Sequence, residues 1–113
     1  MKLPNLSQAT IPEKKITAYL LSSSHSRGKG KAEFFVQFGF TPENWQTLAS
    51  ALMQHAIEHD VIGQEASPFG TRYIIEGEFQ AVDERRPLIQ SIWFMNTGSE
   101  TPRLVSAYPI KRK

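Results

Sequence analysis

Residues 41–65 read TPENWQTLASALMQHAIEHDVIGQE, and the fold turns on a change of period inside them. Thr41 and Pro42 suit a helix cap and a first helical position. Trp45, Leu48, Ala49, Leu52 and Ala56 then recur at helical spacing and predict a helix ending near His59. Glu43, Asn44, Gln46, Ser50, Gln54 and Glu58 take the opposite face. After Asp60 the helical spacing stops. Residues 61–65 suit a short strand, and Ser67-Pro68-Phe69-Gly70 suits a turn. Helices are therefore expected before this point and strands after it.

Working toward the N-terminus, residues 31–38 predict a short helix, with Phe34, Phe35 and Phe38 on one side and Gly39 as its C-terminal cap. Pro12 fits the first turn of an earlier helix ending near Leu21, with Ile16, Tyr19 and Leu20 at helical spacing. SSSHSRGKG, residues 22–30, separates the two. Toward the C-terminus, residues 71–79 alternate, with Tyr73, Ile75 and Phe79 on one face. A charged turn, DERRP, follows at residues 83–87. Residues 88–96 are apolar on both faces, as a central strand under helices should be. Residues 103–108 form the last strand, stopped by Pro109. The fold expected is α+β: N-terminal helices on one face of a three- to four-stranded antiparallel meander. A length of 113 residues suits one domain, helical over about 11–59 and sheet over about 61–109.

Composition removes several function classes. There is no cysteine, which excludes a thiol nucleophile, disulfides and thiolate metal sites. No apolar run reaches the ~18–20 residues that span a bilayer, and residues 1–12 lack the apolar core of a signal peptide. A cytoplasmic protein without membrane contact is expected. The net charge of +2 conceals a segregation. Residues 1–31 carry six Lys/Arg and one acid, residues 32–100 three Arg and ten acids, and residues 101–113 four Lys/Arg and no acid. If the basic ends meet, they form a patch suited to phosphate or nucleic acid. The alternative is a basic tail and a solvated loop.

The residues that bear chemistry lie mostly in that basic material. His25, Arg27 and Lys31 stand on or beside the glycine-containing loop. Histidine titrates near neutrality and serves as general base or acid. RNA cleavage by 2′-hydroxyl attack needs a base, an acid and a cation for the developing phosphorane charge. His25 and Lys31 supply two of the three. Arg72 and Arg103 fall at strand starts, where a planar guanidinium can clamp phosphate. Ser106 and Tyr108 share a strand face and reach the same cleft in this reading. Each has a plainer alternative as a surface or core residue. His55 and His59 have metal-pair spacing, but no third ligand is evident, so both are read as solvated helix residues. The aromatic residues, Phe94 among them, are read as core. No metal and no cofactor is expected, and no nucleotide-hydrolase loop or nucleophile elbow is present.

Several motifs also run in a fixed order: LPN at residues 3–5, IPxxK at 11–15, YLL at 19–21, HxxGxxKAxFFxxxGF at 25–40, Trp45, and RLVSAYP at 103–109. The set resembles a bacterial family of domains of unknown function, found as small proteins and at the C-termini of larger toxin-like proteins. More distantly, helices followed by an antiparallel sheet resemble the barnase–EndoU–colicin–RelE class of ribonuclease toxins. That resemblance implies a metal-independent endoribonuclease of a toxin–antitoxin system. His25, Lys31, Arg72 and Tyr108 would be its catalytic set, with Arg27, Arg103 and Ser106 binding substrate. RNA and a cognate antitoxin or immunity protein would be its partners. No complete catalytic set of a characterised member matches these residues. The alternatives are a non-catalytic binding or antitoxin-like module and an inactive relative.

Overall fold

The computed structural model describes residues 1–21 and 29–110. The chain is α+β, with its helices N-terminal to an open four-stranded sheet. Helix α1 (Glu13–Lys15) is one turn that continues as a π-helical stretch over Ile16–Leu20. Pro12 caps this turn from just outside it rather than within it. The wider π winding, closed by Leu21 N–H on Ile16 C=O at 2.7 Å, lets Ile16, Leu20 and Leu21 all face inward. Helix α2 spans Lys29–Gln37 and helix α3 Trp45–Glu58. A 3₁₀ turn at Pro42–Asn44 precedes α3, and Thr41 occupies its cap position without a side-chain bond.

Gly39 ends α2 as its type suggested. Its φ of +98° lets the chain reverse, so that Phe40 N–H returns to Phe35 C=O at 3.1 Å. Phe35, Phe40 and Phe79 then meet edge to face or tilted, with centroids 5.4–6.3 Å apart. Arg85 ties the connecting segment at residues 79–87 to this layer. It donates to Gln37 C=O at 2.9 Å and lies 4.2 Å from the Phe38 ring centroid.

The strands are β1 (Val61–Ser67), β2 (Gly70–Glu78), β3 (Leu88–Asn96) and β4 (Arg103–Pro109). They form an antiparallel meander in chain order. Tyr73, Ile75, Ile89, Trp93, Leu104 and Ala107 are buried on the helix-side face against α3 and the aromatic cluster. Burial of a side chain the size of Ile75, Ile89 or Leu104 contributes about 1.5–3 kcal/mol by leaving water. The N-terminal segment covers the outer edge of β4. Thr10 N–H bonds Pro102 C=O at 2.9 Å, and Leu104 N–H bonds Thr10 C=O at 3.0 Å. The first and last segments of the chain therefore meet at Thr10, Pro102 and Leu104.

Helix α3 corrects one expectation. His55 is not solvated but 1% exposed. It stands seven residues after Leu48 and three after Leu52, inside the buried stripe. Its Nδ1 lies 3.2 Å from Ser91 Oγ and its Nε2 3.2 Å from Gly77 C=O. A carbonyl only accepts, so Nε2 carries the proton and Nδ1 accepts from Ser91. Trp93 Nε1 donates to the same hydroxyl at 3.0 Å. Every polar atom of this buried chain is thereby satisfied, as burial requires. Phe94 is the second correction: it lies on the face away from α3, opposite Arg72 and Arg103.

Candidate functional site: the far face of the sheet

Directly paired residues of an antiparallel ladder share a face, so the register reads out the site. Arg72 pairs with Phe94, and Phe94 with Arg103. Ile74 pairs with Ile92, and Ile92 with Ser106. Glu76 pairs with Gln90, and Gln90 with Tyr108. These three rows lie side by side on the face away from α3. They place Arg72, Arg103, Ser106 and Tyr108 on one surface.

Strict alternation along RLVSAYP would put Arg103 on the face opposite Ser106 and Tyr108. A bulge prevents this. Ile92 pairs with Ser106 while Trp93 pairs with Leu104, which leaves Val105 as the extra residue of β4. Leu104 and Ala107 keep their core positions, and Arg103 joins Ser106 and Tyr108 on the far face. Bulges re-aim side chains in this way and are common beside functional sites.

Arg72 and Arg103 are exposed, and among the described residues neither forms an ion pair. The Arg103 guanidinium carbon lies 5.4 Å from the Phe94 ring centroid, a cation–π distance. Ser106 is only 7% exposed, and its Oγ has no hydrogen-bond partner among the described residues. Ser106 therefore lies beneath this surface rather than open on it. The face thus carries two guanidinium groups, an aromatic ring and a phenol, together with Glu65 opposite Arg72 and Glu76 opposite Gln90; the two guanidinium groups are the parts that suit a phosphate.

His25 and Arg27 lie outside the described residues. Lys31 falls in the first turn of α2, and its side chain lies outside them too. Among the described residues no three His, Asp or Glu side chains are grouped to hold a metal ion. None of the described helices is long and apolar enough to cross a membrane. Sequence reasoning missed Phe94 as a surface residue and Val105 as the bulge. Only the ladder register exposes either.

The model of a family described as a domain of unknown function, DUF6883, matches residues 2–111. The chain belongs to the DUF6883 family. No curated protein matches this DUF6883 chain in sequence. Among solved structures, it is similar to a chain of a contact-dependent growth inhibition toxin–immunity protein complex from Klebsiella pneumoniae 342. The TM-score is 0.72 at 15% identity, over 96% of the DUF6883 chain and 98% of the other. At that identity the two share a fold.

Proposed function

We propose that this DUF6883 chain is a metal-independent endoribonuclease of a toxin–antitoxin or toxin–immunity pair, with its substrate lying along the far face of the sheet. The observation that carries the reading is the convergence of Arg72, Arg103, Ser106 and Tyr108 on that face through the Val105 bulge. The fold shared with a chain of a toxin–immunity complex supports it.

In this mechanism the RNA supplies its own nucleophile. His25 takes the proton of the 2′-hydroxyl, the 2′-oxygen forms a bond to phosphorus, and the bond from phosphorus to the 5′-oxygen breaks. Water protonates the departing oxygen, leaving a 2′,3′-cyclic phosphate and a 5′-hydroxyl. Lys31 and Arg72 neutralise charge as the phosphorane develops. Arg27, Arg103 and Ser106 bind the strand, and Tyr108 positions it. The chain acts in the cytoplasm, and a cognate antitoxin or immunity protein blocks it. Incubating purified protein with RNA in the presence of a chelator tests this. Cyclic-phosphate ends are expected from wild type and their loss from His25→Ala. Absence of cleavage, or equal cleavage by the variant, overturns the reading.

A second reading, a non-catalytic interaction module, has its own support. Strand β1 is an edge strand carrying exposed Ile62, and Phe69 at the β1–β2 turn is 77% exposed. An edge of this kind pairs readily with a partner strand. Salt-dependent complex formation without turnover would favour it.

A further inference from the structure

Beside Arg103 the chain forms a hollow of about 430 Å³, lined by Pro12, Lys15, Phe94, Arg103, Leu104 and Val105. We propose that this hollow is a nucleotide subsite, holding the RNA residue next to the one whose phosphate is cut. The inference rests on the ribonuclease reading for the identity of its substrate.

The lining specifies the ligand class. Lys15 and Arg103 provide positive charge, and among the described residues no carboxylate lines the hollow. That selects an anion and disfavours an amine or a metal ion. Phe94, Pro12, Leu104 and Val105 provide aromatic and apolar surface, which selects an anion bearing a flat apolar group. A nucleoside phosphate has both parts. A base stacks on aromatic rings and on guanidinium planes alike, and Arg103 over Phe94 offers the two together. The volume falls within the ~300–1,000 Å³ of small-ligand sites.

Position argues for a nucleotide within a strand. Phe94 and Arg103 belong both to the hollow and to the row that contains Arg72. The hollow is thus continuous with the far face, so one strand can run from it across Arg72 toward Tyr108. The bulge residue Val105 lines the hollow, which ties its shape to the same irregularity that assembles the face. Pro12 and Lys15 complete it from the N-terminal segment, held in place by the Thr10 bridge to β4.

Binding tests this without requiring turnover. A labelled, cleavage-resistant 2′-O-methyl oligonucleotide is titrated against the full chain and against Phe94→Ala, Lys15→Ala and Phe69→Ala. The oligonucleotide should bind wild type and Phe69→Ala alike. Phe94→Ala should weaken it by about tenfold or more, and Lys15→Ala should reduce the salt dependence of binding. Failure of wild type to bind, or wild-type binding by both Phe94→Ala and Lys15→Ala, overturns the subsite. If RNA cleavage also proceeds with unchanged KM in those variants, the nuclease reading survives alone. Binding that responds to Phe94→Ala in a chain that cleaves nothing supports the subsite and overturns the nuclease. A free nucleoside monophosphate should bind more weakly than the oligonucleotide, and equal affinity overturns the assignment to a strand.

Discussion

Arg103 stands directly opposite Phe94 in the β3–β4 ladder, with its guanidinium carbon 5.4 Å from the ring centroid. Arg72 stands opposite the same residue from β2. Two arginines therefore stand on either side of one aromatic residue, with Glu65 opposite Arg72 at the β1 end of the same row. This is the geometry on which the proposed chemistry rests.

Arg72→Ala should lower RNA cleavage by about 100-fold, the usual effect of removing one donor from a developing anion. Arg72→Lys should recover only part of this, because an ammonium keeps the charge but loses the two-pronged geometry. Single-turnover rates at saturating RNA measure both. Equal rates for Lys and Ala would show that charge at this position is not used.

Stability should depend on pH through His55. Burial first, and the neighbouring His59 second, lower its pKa from 6.5 to about 4. As pH falls, the unfolded chain takes up the proton before the folded one does. Stability linked to this residue is thus complete above about pH 6.5 and is lost as pH falls toward 4. The shift corresponds to roughly 3 kcal/mol. Urea midpoints for wild type and His55→Gln across that window measure it. The variant should be less stable near neutrality, with a shallower fall in acid; parallel slopes would refute the assignment.

Gly77→Ala should destabilise the fold by roughly 1–3 kcal/mol. A Cβ at Gly77 would come within 2.5 Å of the His59 ring, whose Nε2 donates to Glu78 C=O at 2.8 Å. Denaturant unfolding reads the loss, and a change below about 0.5 kcal/mol would mean that the ring moves aside freely.

The sequence made the layers legible because each depends on local period. Residues 88–96, apolar on both faces, correspond to β3 at both ends, and Gly39 announces the end of α2. His55 was misplaced because a polar type on a buried stripe looks solvated until Ser91 and Gly77 are seen to satisfy it. The Thr10 bridge joins segments far apart in the chain and has no local signature. Arg72 and Arg103 were recognisable as residues at strand starts. Their shared face was not, because it depends on inter-strand register and on one extra residue, Val105, in a strand whose apolar types alternate equally well without it.

The most direct test of the far-face site compares single-turnover cleavage of a single-stranded RNA by wild type, Arg72→Ala and Arg85→Ala. Arg85 is also an exposed arginine, but it packs on Phe38 in the helical layer. Wild type and Arg85→Ala should cleave at similar rates, and Arg72→Ala about 100-fold more slowly. No cleavage by wild type, or an equal loss in both variants, would contradict the account.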